Sequence, residues 1–164
     1  MKKVWVVMLC VLCLTGCSSA QTMETISDDI AVSADAVAGR VNLSLFAEEA
    51  SVIEGESGDK IYMCDDFAVS VQTLTGGDLD KSVQTVTGFS KEVMTVMQTD
   101  RNGVPAYECA WSAAGEGADQ VCRAVILDDG NYHYAVTVMA DYTRAGELAE
   151  TWQDILNSVQ ISTD

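Results

Sequence analysis

Residues 92–140, EVMTVMQTDRNGVPAYECAWSAAGEGADQVCRAVILDDGNYHYAVTVMA, decide the fold. β-forming runs are separated by three turn signals, Asn102-Gly103, Gly115-Glu116 and Asp129-Gly130. Strands are predicted over Glu92–Thr99, Val104–Ala113, Ala118–Leu127 and Tyr132–Ala140, joined as an antiparallel meander. Each turn sets a register. Asn102-Gly103 makes opposing residue numbers sum to 205. A type II′ turn at Gly115-Glu116 gives 231, and a type I′ turn at Asp129-Gly130 gives 259.

These registers put Val96 opposite Cys109 and Met94 opposite Trp111. Cys109 falls opposite Cys122, Glu108 opposite Arg123, and His133 opposite Ile126. Directly opposed cysteines predict a cross-strand Cys109–Cys122 disulfide. The opposed charges predict an ion pair. One face carries Val121, Val125, Leu127, Tyr132, Tyr134, Val136 and Val138. The other carries Met94, Val96, Tyr107, Cys109, Trp111, Cys122, Ala124, Ile126, His133, Ala135 and Met139. A sheet that is apolar on both faces needs cover on both.

Cover is available on either side of the meander. Asp78 caps a predicted helix whose apolar stripe is Leu79, Val83, Val86 and Phe89. Arg144–Asn157 gives a second, with Thr143 as N-cap and Leu148, Trp152, Ile155, Leu156 and Val159 as its stripe. Strands are also predicted at Arg40–Ala47, Lys60–Cys64, Phe67–Leu74 and Ser158–Ser162, with a short one at Ala50–Glu54. The expected architecture is α+β: an antiparallel sheet of four meander strands plus N-terminal strands, covered by two helices.

Upstream, Lys2-Lys3 precede an apolar run from Val4 to Leu14. Eleven residues of helix span roughly 16 Å, about half of a bilayer core, which favours a signal segment over a membrane span. Leu14-Thr15-Gly16-Cys17 then resembles the lipobox of bacterial lipoproteins. The resemblance implies diacylglyceryl transfer to the Cys17 thiol and cleavage before it, with palmitate as an acyl chain. It places the chain on the extracytoplasmic side of a membrane, held through the lipid on Cys17. The expected organisation is a signal peptide over 1–16, a lipidated tether over 17–38 with a helical turn or two near Asp29–Val37, and one domain over 39–164. Between about 40 and 163, Asn102-Gly103, Asp129-Gly130-Asn131-Tyr132 and the run from Trp152 to Val159 resemble the PsbP-like and DcrB-like sandwich domains. That resemblance implies an extracytoplasmic accessory protein that binds another envelope protein.

Charge and residue inventory narrow the function. The chain has 25 acidic and 9 basic residues, a net charge of −16 that becomes −18 without Lys2 and Lys3. Such a charge repels nucleic acid and anionic lipid. His133 is the sole histidine, so no multi-histidine metal site is expected, and no cofactor fingerprint occurs. The acidic pairs Asp65-Asp66, Asp78/Asp80 and Asp128-Asp129 sit where turns and caps favour aspartate. Asp100-x-Asn102-Gly103 opens like a calcium loop, but its twelfth position is Trp111 rather than glutamate.

Three functions follow, none with a catalytic constellation. The leading one is a lipid-anchored binding or accessory domain that is not an enzyme. A second is a small hydrolase using a serine or Cys64 with His133. A third is a module that takes a peptide or small apolar ligand on the face carrying Tyr107, Trp111 and His133.

Overall fold

The computed structural model describes residues 23–27, 31–34, 40–55, 58–114 and 119–162. The expected signal peptide, Cys17 and the corner at Gly115-Glu116 lie outside these residues. Among the described residues the fold consists of two antiparallel sheets, two α-helices and a 3-10 turn. The strands of the large sheet are β1 (Met23–Ser27), β4 (Glu49–Glu54), β5 (Lys60–Met63), β6 (Ala68–Thr75), β7 (Met97–Arg101), β8 (Val104–Ala114), β9 (Asp119–Asp128) and β10 (Tyr132–Asp141). Their spatial order is β1-β4-β5-β6-β10-β9-β8-β7. A small sheet has the order β11-β3-β2, from β2 (Ala31–Ala34), β3 (Val41–Ser44) and β11 (Gln160–Ile161). Helix α1 is Leu79–Thr87 and α2 is Ala149–Ser158. The α+β class read from the sequence is the one observed.

Two short strands lie within the expected tether. Met23–Ser27 pairs with β4 and Ala31–Ala34 pairs with β3. The latter is strand where a loose helical turn was expected. Alternating small and β-branched residues satisfy their backbone groups on an available strand edge.

Each face of the large sheet has its own cover. Trp152, Ile155, Leu156 and Val159 join Val41 and Leu43 of the small sheet, and Leu45 just beyond it, over Val125, Leu127, Tyr134, Val136 and Val138. On the other face Val83, Leu79 and Val86 of α1 pack with Ile126, Ala135, Met94, Val96 and Tyr107. Asp78 accepts from the Lys81 N–H at 3.0 Å, and Gly88 closes α1 in the left-handed region at φ 79°. Phe89 lies beyond that cap and is exposed, outside the expected stripe. Helix α2 begins later than expected. Thr143 turns back to Asp141, donating from N and Oγ1 at 2.8 and 2.7 Å, so it caps a turn instead of the helix.

The first hairpin has the expected register. Met97 faces Glu108, and Asn102 and Gly103 both have positive φ, 56° and 86°, as a type I′ corner requires. Its first strand is shorter than expected. A 3-10 turn over Lys91–Val93 diverts the chain, so Val96 and Met94 pack toward α1 and have no ladder partners on β8.

The other two registers are each displaced by two. Ala114 pairs with Asp119, leaving four residues between β8 and β9. Cys109 therefore faces Ala124, and Trp111 faces Cys122. Between β9 and β10 the corner is Gly130-Asn131, with the Asp129 N–H donating to the Tyr132 carbonyl at 3.2 Å. Only Gly130 there has positive φ, which excludes type I′. His133 consequently faces Asp128 and not Ile126. Asp129 itself explains the shift, since Oδ1 accepts from the Asn131 and Tyr132 N–H groups at 2.8 and 2.7 Å and holds the corner one residue later.

Candidate functional site

The expected cross-strand disulfide is not formed. With Cys109 opposite Ala124, Cys122 is its diagonal neighbour, at about 7–8 Å between Cα atoms for such pairs, beyond the usual disulfide range. Cys64, Cys109 and Cys122 are all free thiols. Burial pushes Cys109 and Cys122 up to about 11, and burial with the Asp65 charge pushes Cys64 up to about 12. None is poised as a thiolate at neutral pH. The expected Glu108–Arg123 pair is also replaced. Glu108 holds Arg101 at 2.8 Å along the first hairpin, while Arg123 faces Ala110.

Cys64 and His133 do not meet. Cys64 bonds to the Phe67 carbonyl at the start of β6, whereas His133 lies opposite Leu74 near its end. About seven residues of strand, roughly 20 Å, separate those levels. Cys64 also packs with the α2-side core, on the opposite face from His133.

A serine does reach His133. Ser82 Oγ lies 2.7 Å from His133 Nδ1, and His133 Nε2 lies 3.5 Å from Asp128 Oδ2. With the ring proton on Nε2, toward the carboxylate, Nδ1 accepts from the serine hydroxyl. Sequence reading missed this contact for two reasons. Ser82 was passed over although it shares the buried stripe of α1, three residues after Leu79. The register error hid Asp128.

The three residues are those of a hydrolase triad, but their order on the ring is reversed. In Ser-His-Asp catalysis the serine bonds Nε2 and the carboxylate Nδ1. Access is also missing: Ser82 is 3% exposed and His133 1%. Ser82 sits in the first turn of α1 with its N–H bonded to the Asp78 carbonyl, so its hydroxyl points into the packed layer. The contact joins α1 to the sheet and satisfies a buried imidazole.

The proposed aromatic face is divided. His133 and Tyr107 lie under or beside α1. Trp111 belongs to a separate cluster with Cys122, Met139, Ala68, Ile61 and Met63. The three residues share a face by parity but fall in two separate packing clusters.

A cavity of about 230 Å³ opens at the end of the sandwich, lined by Arg101, Asn102, Val104, Leu127, Val159, Gln160 and Ile161. Its one charged group, Arg101, is engaged by Glu108 and by the Leu156 carbonyl. No cluster of potential metal ligands occurs among the described residues, and none of their helices is long and apolar enough to cross a membrane.

No family model and no curated protein matches the chain. Solved structures that share its architecture include the following two. A crystal structure from Bacteroides thetaiotaomicron aligns with a TM-score of 0.54 at 9% identity, covering 77% of this chain and 46% of the other, so the chain spans about half of that protein. The solution structure of cyanobacterial PsbP (CyanoP) from Synechocystis aligns with a TM-score of 0.57 at 10% identity, covering 92% of this chain and 99% of the other. At such identities the likeness is one of fold: the chain has a PsbP-like α+β sandwich.

Proposed function

We propose that the protein is an extracytoplasmic binding or accessory domain, anchored through lipid on Cys17 and acting by contact with another envelope protein. The observation that carries the non-catalytic part is the burial of Ser82 and His133 beneath α1. The Leu14–Cys17 motif supports the anchor, and the PsbP-like fold supports an accessory role by analogy of architecture alone. Two acyl chains hold a protein durably, since each buried methylene contributes about 0.8 kcal/mol.

The test uses the full chain in the cells that make it. The mature N-terminus should be an acylated Cys17, and Cys17→Ala should leave the membrane fraction. Crosslinking in those cells should recover a discrete protein partner, and recovery should survive Ser82→Ala. Unchanged membrane retention of Cys17→Ala would overturn the anchor. The Ser82–His133 contact specifically favours a hydrolase as the second reading, which requires α1 to lift from the sheet. Labelling of Ser82 by a fluorophosphonate probe would establish that reading, and its absence would remove it.

A further inference from the structure

Strand β8 is longer than the strand that covers its outer edge. β7 pairs with Val104 to Glu108, while β9 pairs with β8 through to Ala114. Among the described residues no strand lies against the outer edge of β8 beyond Glu108. The type I′ corner makes Arg101 and Val104 a hydrogen-bonded pair, so Val104, Ala106 and Glu108 direct their backbone groups at β7. By the same alternation Ala110, Ser112 and Ala114 direct their N–H and C=O groups outward. The alternation checks independently across the sheet. It assigns odd-numbered residues of β9 to β10, and the Tyr142 N–H does donate to the Asp119 carbonyl at 2.9 Å.

The stretch itself lacks two sequence features that block strand addition. Ala110-Trp111-Ser112-Ala113-Ala114 contains no charge and no proline, and Ala110, Ser112 and Ala114 are exposed. Val93 and Met97, 73% and 58% exposed, stand where β7 ends and the open edge begins. The chain's net charge of −16 favours a basic occupant. Exposed Asp119 stands opposite Ala114 at the far end of the edge, exposed Glu92 lies in the 3-10 turn before β7, and Arg123, opposite Ala110, has no acidic partner among the described residues. Lys91 is paired with Asp80 at 3.1 Å and Arg101 with Glu108. A second copy would bring another net −16, which opposes self-pairing.

We infer that residues 110–114 are a β-addition site for an extended, basic, alternately apolar segment of another protein. The inference deepens the binding reading above and rests on it. The full chain in detergent is titrated with a short peptide of alternating valine and lysine and followed by amide NMR. The peptide should shift Ala110, Ser112 and Ala114 first, and its affinity should fall with salt. Ser112→Pro removes an outward N–H without breaking a bond to β9 and should weaken binding about tenfold, while Ser112→Ala should not. If the proline variant fails to fold, the same peptide N-methylated at alternate residues tests the same bonds and should bind about tenfold more weakly.

Shifts elsewhere, equal affinity of the blocked peptide, or equal binding of a valine–glutamate peptide would each overturn the proposal. So would concentration-dependent self-association through these amides, which would assign the edge to a second copy. Photo-crosslinkers placed in cells at Ser112 and at the remote, exposed Phe46 separate the two readings. A partner captured only from Phe46 removes the edge and keeps the accessory role.

Discussion

Replacing Asp129 tests the turn that positions His133. Its Oδ1 accepts from two backbone N–H groups, at 2.8 and 2.7 Å. Its Oδ2 accepts from the Tyr134 hydroxyl at 3.0 Å and from Arg40 at 3.3 Å. Burial opposes the charge, but the bonds from Tyr132, Asn131 and Tyr134 and the Arg40 charge outweigh it and lower the Asp129 pKa. Asp129→Ala removes all four contacts. Tyr134 is 1% exposed, and its hydroxyl, left with only its Arg40 contact, costs about 1–3 kcal/mol. The two N–H groups can partly rehydrate and add about 1 kcal/mol together. The Arg40 pair, with Arg40 39% exposed, adds well under about 1 kcal/mol. The expected loss is about 3 kcal/mol, read by urea unfolding, or about 6–12 °C in Tm for a chain of this size. Asp129→Asn keeps the Oδ1 acceptor and should lose only about 1 kcal/mol. Because the folded pKa is depressed, the contribution is complete above the unfolded carboxylate pKa, about 4, and disappears as pH falls through the folded value. The gap between wild type and Asp129→Ala should therefore narrow below about pH 4. A loss under about 1 kcal/mol for alanine, or equal losses for alanine and asparagine, would refute the assigned geometry.

Other expectations follow from single contacts. Ser82→Ala strips His133 Nδ1 of its 2.7 Å partner and should cost about 1–3 kcal/mol in the same assay. Gly76→Ala would set a Cβ 2.7 Å from the Asn131 carbonyl carbon and oxygen and 2.9 Å from the Tyr132 nitrogen. These are backbone atoms that cannot step aside, so a loss of about 1–3 kcal/mol is expected on thermal unfolding. Non-reducing alkylation of the unfolded chain should label Cys64, Cys109 and Cys122 alike. A mass short by two labels would restore a disulfide.

Local chemistry was the legible part of the sequence. Asp78 before the Leu79-Val83-Val86 stripe fixed α1, and Asn102-Gly103 fixed its hairpin, because each signal names one backbone conformation. Thr143 misled because a threonine beside an aspartate can close a turn as readily as cap a helix. Pairing of Met23–Ser27 with β4 was not legible either. Nothing local tells a polar, β-compatible stretch that a free edge waits far along the chain.

The two register errors bear differently on core and site, and parity explains why. A shift of one residue would have exchanged the faces of β9 and β10; a shift of two exchanges nothing. Val125, Leu127, Tyr134, Val136 and Val138 lie in the core predicted for them, and Ile126 and Ala135 lie under α1. Hydrophobic burial depends on the face and tolerates the error. Directional chemistry depends on the pair and does not. Displaced by two, Cys109 faces Ala124, Glu108 turns to Arg101, and His133 gains Asp128. The disulfide and the ion pair were both statements about pairs, and both were lost. The His133–Asp128 contact arises from the same displacement. In a meander, then, alternation of apolar residues locates the layers, while the identity of each pair waits on which residue holds the corner. Here Asp129 holds it with its carboxylate.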